Sequence, residues 1–564
     1  MNMVLHALRI GLLPALLLLT TQTGHAGSAT WLATPATGDW GTAANWTTGG
    51  PPNGSADTAT FDSSTVTGIS VAGFKEVNGI VFNPGASAFT VTVSYSNPAY
   101  ILTVSGVGIT NKSGITQNFV NDTGSLYSEH SSIHFTHDAT AGSQTAFTNK
   151  GAGEFFGEGG NIIFTDSATA GSATFTNNRD SRGNSYIFFE DTTSAGNATF
   201  INSGGSSTAG NSFITFFDSA SADNGTFINS GAVGFQGLGG SISFSSSATA
   251  GNATITNNAG IQSSAFGATT EFDDSSTGGS ATLIANGGSQ FDSGSVIRFL
   301  SNSTGGTARV EVFGNGSTDS SSGGLDISRH AAPGVTIGSI EGDGLAILGS
   351  NHLTVGANNI STVFSGIIQD SGAGGGSLSK TGRGNFTLSN ANTYTGGTTI
   401  RKGSLFVTNR NGSATGTGTV EVKAGTLGGT GIIAGDVKVG TGTRAATLAP
   451  GVRTRLGTLT LLSNLTLNST ATCEFTLNSD SVKTDQVVSN GLTINSGALV
   501  ALSDLGTSTL GRGTVFTIIN NTSGGPISGT FTNLPDNSTF TVGMNSYRGS
   551  YLGGDGNDLT LTVQ

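Results

Sequence analysis

Charge is scarce in this chain. Only 10% of its 564 residues are Asp, Glu, Lys or Arg, against about 25% in an ordinary soluble domain, where much of it lies on the outer faces of amphipathic helices. An ordinary helical enzyme is not expected. Lys and Arg number 22 against 34 acidic residues, a formal net charge of −12. The counterion release that drives nucleic-acid binding and the attraction to anionic lipid are both missing, so neither nucleic acid nor a membrane surface is expected as a partner. Cysteine is nearly absent. The single Cys473 cannot close an internal disulfide, and it stands in the apolar alternation Cys473-Glu-Phe-Thr-Leu477, where a strand would bury it as an inert thiol. No run after the first residues approaches the roughly 20 apolar residues of a membrane-spanning helix. Phosphate loop, dinucleotide fingerprint and Gly-x-Ser-x-Gly elbow are likewise missing.

The first 26 residues are an address. His6 and Arg9 precede the apolar run Ile10 to Leu19, and Gly24-His25-Ala26 supplies a small-x-small end; the run is too short to anchor a chain in hydrocarbon. Residues 1–26 read as a secretory signal peptide cleaved near Ala26. The product is expected to be secreted or held on the outer cell surface, with no integral membrane domain once the signal is removed.

What is abundant is Gly, at 89 residues, and Phe, at 32. Between residues 131 and 313 these fall into a repeat: Ile-x-Phe, a Gly seven residues on, then Ala-Thr-Phe and an Asn. The marker glycines are Gly142, Gly171, Gly196, Gly251, Gly279 and Gly306, with Asp223 standing in the fourth copy. Seven positions before each marker stands Phe135, Phe164, Phe189, Phe216, Phe244, Phe272 or Phe299; two before those stand Ile133, Ile162, Ile187, Ile214, Ile242, Thr270 and Ile297. A second apolar column holds Phe147 (one residue late), Phe175, Phe200, Phe227, Ile255, Leu283 and Val310, and Asn149, Asn177, Asn202, Asn229 and Asn257 follow.

Apolar residues two apart have strand periodicity, and a fixed period of about 27 residues means a solenoid, because one unit cannot bury its own side chains and stacked units can. The fold class predicted is all-β, a parallel β-helix of at most about 20 coils, with continuous Phe and Ile columns inside and an Asn amide ladder at a turn. Trp31, Trp40 and Trp46, the whole tryptophan complement, suit a cap on the first coil better than a sugar-stacking site. The expected organisation is a signal peptide (1–26), a Trp-rich N-terminal cap (27–75), the Phe/Ile/Asn ladder (76–325), an irregular continuation of the solenoid (326–375), a second repeat region (376–475) and a C-terminal β region or cap (476–564).

That second region carries the most specific motif. The stretch Leu378-Ser-Lys-Thr-Gly-Arg-Gly-Asn-Phe-Thr-Leu-Ser-Asn-Ala-Asn-Thr-Tyr-Thr-Gly-Gly-Thr-Thr-Ile-Arg-Lys-Gly-Ser-Leu405 resembles the autotransporter-associated β-strand repeat. Gly425 to Gly435, Leu448-Ala-Pro-Gly451 and the opening Asn45-Trp46 are similar to the same family. The resemblance implies a right-handed β-helix, export, and a place at or beyond the cell surface, as in autotransporter passengers. Only about 90 residues follow Cys473, too few for the membrane barrel that ends an autotransporter.

Chemistry is thin. Glu129-His130-Ser-Ser-Ile-His134-Phe-Thr-His137 brings histidines together, but at a spacing that suits a solvated rim better than a metal site. Two residues after the Phe column stand His137, Asp166, Asp191, Asp218, Ser246, Asp274 and Ser301. Asp166, Asp191 and Asp218 thus stack one strand spacing apart, near the carboxyl separation of a retaining glycosidase. A repeat, however, gives each carboxylate the same environment, whereas acid–base catalysis needs environments that differ. Gly553-Gly-Asp-Gly-Asn-Asp558 resembles one calcium-binding nonapeptide, and a single copy reads as a turn. Ser377-Leu-Ser-Lys380 and Lys380-Thr-Gly382 mimic β-lactamase motifs but share one lysine. No catalytic, cofactor or metal site is therefore assigned. The chain is expected to be a non-catalytic, adhesin-like surface protein whose partners would be cell-surface glycans, matrix or other cells. The alternative is a β-helix that binds or cleaves polysaccharide.

Overall fold

The computed structural model describes residues 27–564 apart from 97, 124–130, 152–157, 179–182, 207–209, 315–319, 373 and 453–454; residues 1–26, the expected signal peptide, lie outside the described residues. In the strand Asn184–Phe189, alternate side chains are buried and half-exposed, so Ile187 and Phe189 face inward. The strand Ser212–Phe216 lies parallel to it, with Ile214 opposite Ile187 and Phe216 opposite Phe189. The same register continues through Phe135, Phe164, Phe244, Phe272 and Phe299. Repetition of this step builds a β-solenoid of about 17 turns of parallel strands, with no α-helix among the described residues and a single short helical turn at Ala43–Asn45.

Each coil of the central ladder has three walls. The Ile-x-Phe strand is one. A single bridging residue is the second, in the series Thr140, Thr169, Ser194, Ser221, Thr249, Thr277 and Thr304, and small buried alanines such as Ala168 and Ala170 flank it. The third is the Phe-x-Asn strand, as in Thr199–Asn202 and Thr226–Asn229. Phe147 stands one residue late because a bulge between Ser143 and Ala146 absorbs the extra residue, after which Phe147 pairs with Phe175.

Two columns of rings fill the interior. Phe164 and Phe189 have ring centroids 4.6 Å apart and planes within 2°; Phe189 and Phe216 repeat this at 4.6 Å and 5°, and Phe175, Phe200 and Phe227 form the second stack. The columns meet edge to face, for example Phe189 on Phe200 at 5.7 Å and 78°. Parallel neighbours within a column and edge contacts between columns satisfy the ring quadrupole in both directions.

The asparagine ladder exists, but the expectation that it lines a turn is corrected. Asn149, Asn177, Asn202, Asn229 and Asn257 are fully buried, and the ladder starts one coil earlier, at Asn121. Asn121 Nδ2 donates to Asn149 Oδ1 at 2.9 Å, and the step repeats through Asn177, Asn202, Asn229 and Asn257. The amides also donate across the corner to carbonyls of the Ile-x-Phe wall, such as Asn177 to Phe213 O at 3.0 Å and Asn229 to Thr269 O at 3.0 Å. Burial is tolerable because a primary amide carries two donors and an acceptor, and this corner supplies partners for them up to the last rung, where Asn257 Nδ2 is left without one. Thr270, the one exception in the isoleucine column, ends the ladder: its hydroxyl donates to Asn257 Oδ1 at 2.9 Å, and Ala285 occupies the next rung.

The three tryptophans are buried in one cluster against the first ring of the interior. Trp40 is 0% exposed. Its ring lies 5.0 Å from that of Trp46 and 5.9 Å from Phe61, the first ring of the interior. Each indole N–H is satisfied internally, Trp31 on Val66 O, Trp40 on Pro52 O and Trp46 on Trp40 O, which leaves no indole face for a sugar. At the other end the pairing turns antiparallel: Val515–Asn521 pairs with Asp558–Val563, which pairs with Asn545–Gly553. Gly553 to Asp558 is the turn of that last hairpin. Cys473 is buried between Leu448 and Val500, and burial pushes its thiol up and out of reach as a thiolate.

Candidate functional site

The acidic column occupies a turn of unusual backbone. His137, Asp166, Asp191, Asp218, Ser246, Asp274 and Ser301 all have φ between +46° and +58°. Short polar side chains enter this left-handed region more readily than others, which accounts for the residue types found there. The marker position is left-handed too, from +83° at Gly142 to +57° at Gly306, and Asp223 replaces glycine at +48°.

The carboxylates are already engaged. Asp166 Oδ2 accepts the backbone N–H of His137 at 2.8 Å, Asp191 Oδ2 that of Asp166 at 2.9 Å, Asp218 Oδ2 that of Asp191 at 3.4 Å and Asp274 Oδ2 that of Ser246 at 3.0 Å. Each acid thus caps the coil before it.

Among the histidines, His130 lies outside the described residues. His134 is half-buried on the outer face of the first wall, opposite Thr103 and Ile163, and burial pushes its imidazole down to about 4. His137 faces Asp166 at 3.9 Å instead. No group of three His, Cys, Asp or Glu residues among the described residues is placed to hold a metal.

The motif coil at 378–405 is built as a staple. Its strands Ser377–Lys380 and Asn385–Leu388 belong to one turn of the solenoid, and Thr398–Ile400 stacks on Ser377–Lys380 as the same wall of the next turn, Leu378 opposite Thr398. Lys380 is buried without a carboxylate; its Nζ donates to Thr381 O, to Gly382 O at 3.1 Å and to Lys402 O at 3.3 Å, joining its own coil to the next. Asn392 accepts from Ile368 N of the preceding coil at 2.7 Å and donates to Ala414 O of the following one. Tyr394 fills the corner, fully buried, its hydroxyl 2.6 Å from Thr398 Oγ1. Ser377 Oγ stands 2.7 Å from His352 Nδ1, and no carboxylate among the described residues hydrogen-bonds that ring. The β-lactamase mimicry has no geometry behind it.

A groove escaped the sequence reasoning. It measures about 330 Å³ on the outer face of the first wall, between coils 211 and 298, with Leu238 and Phe266 on one side and Glu271 and Arg298 on its floor. Its residues sit at outward and loop positions, where the repeat varies freely, so the periodicity does not mark them.

Residues 378–406 match the family model of the passenger-associated-transport-repeat. A 95-residue stretch is 43% identical to the adhesin BmaC autotransporter of Brucella suis biovar 1 (strain 1330), a match that covers 17% of this chain and 3% of that protein. Among solved structures, the Haemophilus influenzae Hap adhesin aligns over 90% of this chain and 63% of its own at 11% identity, with a TM-score of 0.24, a superposition too loose to add to what the strand register already shows. In the repeat at 378–406 and along that 95-residue stretch, the chain is similar to autotransporter proteins.

Proposed function

We propose that this chain is a cell-surface, adhesin-like passenger that acts by presenting its outer walls and loops to other surfaces and catalyses no reaction. The observation that carries the reading is the passenger-type repeat at 378–406, embedded as two successive stacked turns within a much longer solenoid whose interior consists of packing and hydrogen-bond ladders. A rigid rod with repeating walls offers extended binding surface. Outward exposed residues such as Phe235, Phe291 and Ile261 stand on loops, where recognition chemistry usually sits. Its partners are glycans, matrix or other cells, reached after export and removal of the leader.

The test is made on the producing bacterium. The chain, tagged in an exposed loop, should be accessible to protease on intact cells or recovered from the medium. Deletion of its gene should lower adherence to host cells or abiotic surfaces, and complementation should restore it. A chain confined inside the cell, or adherence untouched by deletion, would overturn the reading; so would release of reducing ends from polysaccharide by the purified chain.

A further inference from the structure

The outward face of the first wall carries two ordered columns. The first runs Tyr186, Phe213, Ser241, Thr269 and Val296, each opposite the next in register. The second, two residues along, runs Phe188, Thr215, Ser243, Glu271, Arg298 and Asp326. Along the solenoid axis the surface therefore passes from aromatic rings through hydroxyls to an ion-paired end. The rings are ordered: Tyr186 lies 5.2 Å from Phe213 and 5.4 Å from Phe188, with planes within 9° in both pairs.

Three loops wall this strip on one side. They approach because glycines stack where they cross: a Cβ on Gly239 would meet Gly267 O at 2.3 Å, and one on Gly267 would meet Gly294 O at 2.3 Å. With no side chains at the crossing, Leu238 and Phe266 are left projecting beside the groove, and Phe266 is 43% exposed.

The chemistry selects among ligands. The floor is the face of a sheet whose backbone groups pair from coil to coil, so an extended peptide finds no strand edge to join. Arg298 lies 3.9 Å from Glu271 and 3.8 Å from Asp326; one guanidinium against two carboxylates leaves these columns at a net charge of −1, which repels polyanions. What remains is a ligand with apolar C–H faces for Phe266 and Leu238 and with hydroxyl pairs for Ser241, Thr269, Glu271 and Arg298. We propose that this groove binds a neutral linear polysaccharide lying along the solenoid axis, its sugar rings spaced by the coils at about 4.8 Å.

The inference rests on the surface-adhesion reading but is tested apart from it. The purified full chain is applied to an array of neutral linear oligomers of glucose, mannose, xylose and N-acetylglucosamine, with heparin and polygalacturonate as polyanionic arms, and the best binder is then titrated in solution. At least one neutral oligomer should bind. Glu271→Gln and Phe266→Ser should each weaken it by about tenfold, as expected for loss of one charged hydrogen bond or one ring contact, with melting unchanged. Phe74→Ser, at an exposed site elsewhere, should leave it unaltered. Binding confined to the polyanions, binding of no neutral oligomer, or wild-type affinity in both groove variants overturns the proposal. If adherence of producing cells persists in that event, the adhesion reading stands without this groove; if the chain is never surface-exposed, the adhesion reading falls while sugar binding by the purified chain is still measured.

Discussion

Replacing Phe216 by Ala tests whether the ring columns carry the stability of the solenoid. The ring is fully buried, 4.6 Å from Phe189 above and 4.7 Å from Phe244 below, with Phe227 edge-on at 5.9 Å and 74°. Truncation removes a buried aromatic and leaves a cavity between two coils that their own hydrogen bonds hold apart, so the site cannot collapse freely. The cost should fall at about 3–5 kcal/mol. In a solenoid, coils interact mainly with their neighbours, so the loss should appear locally before it appears globally. Amide hydrogen exchange is the fitting assay: protection in Asn184–Phe189, Ser212–Phe216 and Ser241–Phe244 should drop by about two to three and a half powers of ten. Phe188→Ala is the control. It lies one residue from the core position Phe189 but on the outer face, touching only Tyr186 and Phe217 among rings, and should cost no more than about 1.5 kcal/mol. Equal effects of the two variants, or a Phe216→Ala change within about 0.5 kcal/mol, would refute the column account.

Asn202→Leu should cost at least about 2 kcal/mol, because it takes the ladder acceptor from Asn177 Nδ2, strands the Oδ1 of Asn229 in a buried corner and puts a branched apolar side chain among their amides; denaturant melts with an Asn178→Leu comparison check it. Asp191→Asn should melt within about a degree or two of wild type, since Asn keeps the acceptor for Asp166 N and tolerates φ +54°, whereas Asp191→Val should be clearly destabilised, and excess Ca²⁺ or chelator should move neither. His134 is charged more readily unfolded, near 6.5, than folded, near 4. Its contribution is therefore fully present above pH 6.5 and is lost as pH falls from 6.5 toward 4; the stability difference between wild type and His134→Thr, followed by urea titration across that range, should slope accordingly and flatten below it.

Much of this molecule follows from its sequence because a solenoid repeats one local problem. The step from Phe189 to Phe216 and from Ile187 to Ile214 is readable without coordinates: identical residues at a fixed period superpose when coils stack, and the apolar ones must point inward. The expectation of a cap at Trp31, Trp40 and Trp46 comes from the same need, since a first coil without a neighbour exposes its core. Tertiary structure alone decided other things. The order of residue types in the Asp166 column reflects a left-handed turn, which sequence spacing does not encode, and its carboxylates are tied to the N–H groups of the preceding coil. The Asn202 ladder looked like a turn feature because asparagine favours turns; it is buried because the walls that meet at that corner, and the neighbouring rungs, supply partners to every amide but the last, Asn257, whose Nδ2 faces Ala285. The groove beside Phe266 depends on loops of unlike sequence from three coils approaching through Gly239, Gly267 and Gly294. Periodicity reports what recurs in every coil, whereas a binding surface is made of what differs between them.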